Sequence, residues 1–216
     1  MVYTSNSELT KLSANMTQKY ELKVLFTGYS RLNGNVLDAN CTCTLIKGPI
    51  NVIIDTMTAW DGRSILNSLK ENGLSPDDIN FVVCTHGHSD HIGCNYLFLN
   101  AVHIVGFSIS KEDKYFLSPD FSKGEEYVIH DQIKVIPTPG HTLQDVSVLF
   151  QNQGQTIAVT GDLFENERDL LDENIWISAG SDNVELQRKN RNRILGMAKF
   201  IVPGHGAMFK VPQCNG

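Results

Sequence analysis

Short hydrophobic runs separated by Gly, Pro, Asn and Asp follow one another along most of the chain. The runs are rich in Val, Ile and Phe, which is typical of β-strands that are buried in a core. The predicted strands are 22–26, 41–46, 51–54, 81–84, 102–105, 132–136, 146–150, 156–160 and 200–202. They form two strand-rich halves, which predicts two sheets that face each other.

Segments with apolar residues at helical spacing are fewer than the strand-like segments. Residues 64–72 place apolar side chains on one face and precede Gly73, a favourable residue just beyond a helix end. Residues 184–199 predict a second helix, whose apolar contacts are expected to be Leu186, Ile194, Leu195 and Met197. A third, short helix is expected beside His91. Helices outside two facing sheets predict an α+β fold.

Composition indicates one globular domain. The chain has 216 residues, of which 41% are hydrophobic and 19% charged, so it can bury a core. Residues 1–19 are predicted to be a polar N-terminal tail and residues 20–216 the folded domain. No secretory signal or apolar run of bilayer length is visible, so we expect no membrane contact and a cytoplasmic protein, with the nucleus as an alternative. The odd number of scattered cysteines predicts reduced thiols.

The formal net charge of −6 is a modest argument against nucleic acid as a partner. A protein that grips nucleic acid electrostatically normally carries an excess of Lys and Arg. The charge therefore disfavours RNA or DNA as a partner, although a small enzyme can also hold a phosphodiester locally through metal ions.

Side chains that bind metals are concentrated directly after the strand predicted at 81–84. His86, His88, Asp90 and His91 fall within six residues. Alternate side chains of an extended segment point to one side, so His86 and His88 can share one ion. Asp90 and His91 lie where the chain turns towards a helix and can face a second ion. A solvent-exposed polar loop is the plain alternative, but four such side chains in one loop rarely arise by accident.

Three later residues extend this set. His141, Asp162 and His205 each follow the end of a predicted strand, and a glycine precedes each of them. Glycine permits the tight turns and close backbone approach expected where loops converge at one edge of a sandwich. Each motif alone is more often an ordinary turn. With the first cluster they complete a set of seven candidate ligands.

The order of these residues resembles that of the metallo-β-lactamase fold superfamily, and the resemblance extends over about residues 20–209. It implies a four-layer αββα sandwich. It also implies that Asp162 bridges two ligand sets, His86, His88 and His141 for one ion and Asp90, His91 and His205 for the other. Asp55 matches an early aspartate that supports the metal loop. Its plain alternative is a residue that simply ends a strand in a turn.

A finer pattern is similar to that of the metallo-β-lactamase domain-containing protein 1 family. It is carried by residues 85–93, 145–148, 161–165, 202–206 and Phe209. This resemblance implies a homodimeric hydrolase with two divalent ions, zinc first and iron or manganese as alternatives. It implies an endoribonuclease acting on histone pre-mRNA, with RNA as the partner. Asp90 and Asp162 are the expected catalytic residues, because they would orient a water molecule and accept its proton.

Other activities of the superfamily stay open. A small-molecule thioester hydrolase of the glyoxalase II type uses the same seven ligands, but the helical extension that binds glutathione is missing from this sequence. A mononuclear iron persulfide dioxygenase needs only His86, His141 and Asp162. Common zinc β-lactamases carry Cys where this chain has Asp162, which disfavours that activity. A metal-binding module without catalysis is the alternative from a different class.

Several further features have two interpretations. His103 and His130 are candidate proton donors but are expected to be plain strand or surface residues. The charged segments 111–114 and 187–193 are expected to be solvated rather than to contact an anionic substrate. Residues 166–177 are either a lid or a packed loop. The cysteines are expected to be small buried side chains, namely Cys41, Cys43, Cys84 and Cys94.

Overall fold

The computed structural model describes residues 19–212. The tail predicted for residues 1–19 therefore lies outside the described residues, except for Lys19. Fifteen β-strands are formed within this range: β1 (Glu21–Phe26), β2 (Tyr29–Asn33), β3 (Val36–Asn40), β4 (Cys43–Lys47), β5 (Val52–Ile54), β6 (Phe81–Cys84), β7 (Val102–Val105), β8 (Ser108–Lys111), β9 (Lys114–Phe116), β10 (Tyr127–His130), β11 (Ile133–Pro137), β12 (Val146–Asn152), β13 (Gln155–Gly161), β14 (Phe200–Pro203) and β15 (Phe209–Lys210).

Within the described residues, the helices contain fewer residues than the strands do. The α-helices are α1 (Gly62–Glu71), α2 (Ser89–Ile92), α3 (Asn174–Ser178) and α4 (Val184–Met197). Single 3-10 turns lie at Pro76–Asp78, Asn95–Leu97, Phe121–Lys123 and Glu167–Leu170. Within residues 19–212, no helix combines the length and the apolar character needed to cross a membrane.

Thirteen of the strands form two mixed sheets. The first has the order β1-β4-β5-β6-β7-β8-β9, and the second has the order β10-β11-β12-β13-β14-β15. Parallel pairing joins β5 to β6 and β6 to β7 in the first sheet, and β13 to β14 in the second. The strands β2 and β3 form a separate antiparallel hairpin.

In the central strands, successive side chains point to opposite faces of the sheet, and both faces are buried. In β5, Val52 and Ile54 face the other sheet, whereas Ile53 joins the cluster beneath α1. The helix α1 contributes Ile65 and Leu69 to that outer cluster. The helix α4 covers the outer surface of the second sheet in the same way. The layers are therefore helix, sheet, sheet and helix, which confirms the predicted α+β, αββα sandwich.

The buried face of α4 is polar, and this corrects the prediction. The side chain of Met197 is 38% exposed, so it is not a core contact. Ile194 is buried as expected, but its buried neighbours are Gln187, Asn190 and Arg191. The expectation that residues 187–193 are a solvated face was therefore wrong for these three. Their polar groups bond to loop carbonyls, and a hydrophobic pattern does not reveal such partners.

Six strands are absent from the predictions, namely β2, β3, β8, β9, β10 and β15. In the hairpin of β2 and β3 almost every side chain is exposed or half-buried, so hydrophobic and polar residues do not alternate with burial. The strand β9 is exposed throughout. Such edge strands are formed by backbone pairing, and the hydrophobic pattern of the sequence carries little sign of them.

Phe150 tests the packing between the two sheets, because its ring is fully buried there. We expect Phe150→Ala to lower the free energy of unfolding by about 3 to 5 kcal/mol, since it leaves a cavity in a close-packed core. Phe116→Ala is the matched control, because that ring is 47% exposed on the edge strand β9. Urea unfolding monitored by circular dichroism measures both, and equal effects would contradict the assigned core.

Candidate metal centre

The seven candidate ligands converge at one edge of the sandwich, where loops leave the ends of β6, β11, β13 and β14. The side chains of five are buried, Asp90 is half-buried and His88 is exposed. For the description of the site, His86, His88 and His141 are the first group, and Asp90, His91 and His205 are the second group. Residues that lie far apart in sequence are thus brought to one place by the two sheets.

The first group surrounds one point together with Asp162. The Nδ1 atom of His88 lies 2.9 Å from Nε2 of His86 and 3.1 Å from Nε2 of His141. The Oδ2 atom of Asp162 lies 3.4 Å from Nε2 of His141. These four side chains offer ligand atoms that are all within 4.8 Å of one another. Three imidazoles and one carboxylate in this arrangement match the donor set of a zinc site.

The second group meets the other side of the same carboxylate. Asp162 Oδ1 lies 3.3 Å from Nε2 of His91, and Asp162 Oδ2 lies 3.3 Å from Nε2 of His205. The Oδ2 atom of Asp90 lies 3.9 Å and 3.8 Å from those two nitrogens. Asp162 therefore stands between the two groups.

Two buried atoms at this position have no hydrogen-bond partner in the described part of the chain, although they lie 3.3 Å from each other. They are Nε2 of His91 and Oδ1 of Asp162. Buried polar atoms are normally hydrogen-bonded, because leaving one unpaired is unfavourable by about 1 to 3 kcal/mol. A divalent cation between the two groups would satisfy both atoms, so the residues present fit a metal centre.

Each buried histidine is also held from behind through its Nδ1 atom. The partners are Thr85 Oγ1 at 3.1 Å for His86, Asp55 Oδ2 at 3.0 Å for His91, Gly180 O at 2.7 Å for His141 and Asn40 O at 3.0 Å for His205. A partner at Nδ1 fixes the ring and directs Nε2 towards the centre. This is the arrangement in which metal-binding histidines are normally found.

Asp55 connects the first sheet to the metal loop. Its carboxylate accepts a hydrogen bond of 2.7 Å from the backbone N–H of Thr85 and lies against the ring of His91. Its backbone has a φ of 57°, in the left-handed region that non-glycine residues seldom adopt. The structure thus places Asp55 behind the site, where the family resemblance implies a supporting residue.

Asp145 has an equivalent place behind His141, which the sequence did not reveal. Its carboxylate accepts hydrogen bonds from the backbone N–H groups of Gly140 and Thr142, at 3.1 and 2.7 Å. Burial raises the pKa of Asp145 to about 7, against the effect of these donors. The residue lies in a segment that carries the family resemblance, but nothing in its spacing distinguishes it from a strand end.

The polar face of α4 supports two of the ligand loops. Gln187 Nε2 donates to the backbone oxygen of Asp162 at 3.0 Å, and Asn190 Nδ2 donates to that of Pro139 at 2.7 Å. These are positioning contacts, because they hold the backbone on which Asp162 and His141 are carried.

Arg191, on the same face, holds the segment that follows Asp162. It donates to the backbone oxygen of Leu163 at 2.7 Å and pairs with the buried carboxylate of Asp169 at 2.8 Å. Asp169 in turn accepts from the backbone N–H of Glu165 at 2.7 Å. The path of residues 162–165 is thus fixed by a buried ion pair.

Charges at the centre shift the pKa of its members in opposite directions. Burial disfavours the charged form of Asp162, yet His91 and His205 outweigh this and hold its pKa well below the usual value. Burial also opposes protonation of His205, but Asp162 raises its pKa to about 9. In His86 and His141 burial dominates and lowers the pKa.

The remaining candidates lie away from the centre. His103 bonds to the backbone of Phe98, and His130 packs on Tyr20, so neither ring faces the site. Residues 111–114 are exposed, as expected for a solvated segment. Trp176 is fully buried, which favours the packed interpretation of residues 166–177. The four predicted buried cysteines are all buried, and Cys214 lies outside the described residues.

Gly204 tests the close packing around Asp162. A Cβ atom at this position would collide with Oδ1 of Asp162, so Gly204→Ala must displace the shared carboxylate. We expect this variant to fold but to retain less than one tenth of the bound metal, as measured by elemental analysis after gel filtration. The control is Gly196→Ala in α4, where a Cβ atom meets nothing within 4 Å. Full metal content in Gly204→Ala would contradict the assigned position of Asp162.

Lowering the pH should release a bound ion from the second group before it releases one from the first group. At pH 7 the raised pKa values of His91 and His205 mean that an ion must displace protons there, whereas His86 and His141 are already neutral. Between about pH 8 and pH 6, the affinity at the second group should fall by about tenfold per pH unit for each proton displaced. Isothermal titration calorimetry with Zn²⁺ measures this. Loss from the first group before the second would contradict the charge assignment.

Comparison with known proteins gives one consistent result. A family model described as the metallo-beta-lactamase superfamily matches residues 37–205, a range that contains all seven candidate ligands and Asp55. A solved structure of a metallo-beta-lactamase homologue from Thermotoga maritima has a TM-score of 0.65 and 27% identity, over 89% of this chain and 99% of that one.

Curated relatives extend the match to a finer level. Metallo-beta-lactamase domain-containing protein 1 of Xenopus laevis is 39% identical over 196 residues, which are 89% of this chain and 82% of the relative. The mouse protein of the same name is 38% identical over 77% of this chain, and this chain covers 62% of its length. The chain therefore belongs to the metallo-beta-lactamase superfamily and, within it, to the family of metallo-beta-lactamase domain-containing protein 1.

Proposed function

We propose that the chain is a dinuclear hydrolase whose two divalent ions, zinc in the first instance, are held by the first group, the second group and Asp162. The observation that carries this proposal is the shared carboxylate. Asp162 lies within 3.3 to 3.4 Å of histidines from both groups, and its Oδ1 atom has no other partner among residues 19–212. A single ion would use only one of these groups.

The chemistry follows from the placement of the carboxylates. Two divalent ions held by these residues would supply a nucleophile from water at neutral pH and would stabilise the negative charge that builds up on the substrate. Asp90 is half-buried beside the second group, so it can accept a hydrogen bond from the attacking water and take its proton. Asp162, whose carboxylate lies between the two groups, can orient the same water. The Nδ1 contacts keep the four buried rings in place during the reaction.

The bond that is cleaved is proposed from the family. We propose that the substrate is RNA and that the reaction is endonucleolytic cleavage of the phosphodiester backbone of histone pre-mRNA, in the cytoplasm or the nucleus. Family membership supports this, and so does the complete second group, since two-metal centres are well suited to in-line displacement at phosphorus. We also propose the homodimer that the family resemblance implies.

One observation favours a second candidate, a hydrolase of small esters or thioesters. Two clefts meet at His88, and none of the residues that line them is Lys or Arg. Leu37, Ala39 and Leu143 make parts of their walls apolar. A lining of this kind suits an uncharged or apolar substrate, and it leaves an RNA backbone to be held mainly by the ions.

The mononuclear iron dioxygenase is less well supported. It would need His86, His141 and Asp162 but would leave Asp90, His91 and His205 without a role. Two of those three side chains are buried at the centre, and the Nε2 atom of His91 has no hydrogen-bond partner among residues 19–212. Buried polar groups of this kind are rarely kept without a partner.

Elemental analysis of the purified full chain, together with a substrate panel, tests the proposal. We expect two ions per chain and cleavage of RNA, with turnover of an ester or thioester as the result that favours the second candidate. His86→Ala and Asp162→Ala should abolish both metal retention and turnover. His130→Ala is the control, because its ring packs on Tyr20 away from the centre. One iron per chain with oxygen consumption, or full activity of His86→Ala, would contradict the dinuclear hydrolase.

A further inference from the structure

Glu165 is a carboxylate at the metal centre that belongs to neither group. Its side chain is only 3% exposed, and it lines the same cleft as Asp90, Asp162 and His205. Ligand atoms of Glu165, Asp162 and His205 all lie within 4.8 Å of one another. The residue is therefore close enough to take part in binding an ion at the second group.

The backbone of Glu165 is fixed relative to that group. Its carbonyl oxygen accepts a hydrogen bond of 2.8 Å from the N–H of His205, and its N–H donates 2.7 Å to Asp169. Asp169 is held in turn by the buried guanidinium of Arg191. These two hydrogen bonds fix the backbone position from which the side chain enters the cleft.

The carboxylate of Glu165 has no protein partner to balance its charge. Over residues 19–212, no N–H or O–H group donates a hydrogen bond to it, and no Lys, Arg or His pairs with it within 4.0 Å, although the neighbouring Asp169 has such a pair. A buried carboxylate beside a second carboxylate, Asp162, is unfavourable unless a proton or a cation neutralises the excess charge. The side chain is thus aimed at a position where a cation would remove that imbalance.

We infer that Glu165 provides a third carboxylate to the ion at the second group, besides Asp90 and Asp162, and shifts the preference of that position towards Mn²⁺. Carboxylate oxygens suit Mn²⁺, whereas imidazole nitrogens suit Zn²⁺. The first group offers three imidazoles and the shared Asp162. The second offers two imidazoles with Asp90, Asp162 and Glu165. The two positions therefore differ in chemistry, and this inference rests on the proposed dinuclear centre.

Glu165→Gln tests the inference, because it removes the charge and keeps the shape. We expect isothermal titration of the metal-free full chain with Mn²⁺ to show one equivalent within twofold of wild type and the other, that of the second group, weakened by about tenfold or more. With Zn²⁺ the loss at the second group should be smaller. The matched control is Glu167→Gln, an exposed glutamate on the same segment, which should bind both equivalents as wild type does.

The results distinguish failure of the proposed dinuclear centre from failure of the role assigned to Glu165. Wild-type protein that binds one ion would overturn the dinuclear centre itself. Wild-type protein that binds two ions, with both equivalents unchanged in Glu165→Gln, would overturn only the role of Glu165. If circular dichroism shows that Glu165→Gln does not fold, Glu165→Asp takes its place. That variant keeps the charge but shortens the reach, so wild-type affinity for both Mn²⁺ equivalents would again overturn the inference.

Discussion

The carboxylate of Asp162 is the feature on which the rest of the centre depends. It is buried between two groups of ligands that come from both sheets, and it lies within 3.3 to 3.4 Å of His91, His141 and His205. A bare carboxylate in such a place is unfavourable, and only positive charge around it makes the position tenable. The close approach of Gly204 and the bond from Gln187 to its backbone show that the surroundings are shaped to hold it there.

The αββα sandwich serves this carboxylate by bringing distant loops to one edge. The first sheet supplies the metal loop after β6, with Asp55 behind His91. The second sheet supplies Asp162 after β13 and His205 after β14, and the hairpin backbone at Asn40 holds His205. A substitution in any of these elements can move a ligand without touching the metal. Stability of the fold and occupancy of the centre are therefore linked.

The candidate ligands could be predicted from the sequence more fully than the residues that support them. Four of the seven lie in one short loop after a strongly hydrophobic strand, so the ligand-binding chemistry and the local structure were visible together. Asp145 and Gln187 are different, because their function depends on backbone atoms that only the fold brings near. Glu165 could not be identified either, since its position beside His205 results from two hydrogen bonds between loops. The exposed hairpin was missed because its side chains carry no burial pattern.

We propose that the carboxylate of Asp162 joins two ions. Anomalous diffraction from crystals of the zinc-loaded full chain, collected on both sides of the zinc absorption edge, measures this directly. The account predicts two peaks about 3.5 to 4 Å apart, one beside His86, His88 and His141 and the other beside Asp90, His91 and His205, with an oxygen of Asp162 on each ion. One peak at full zinc occupancy, or two peaks without Asp162 between them, would contradict it.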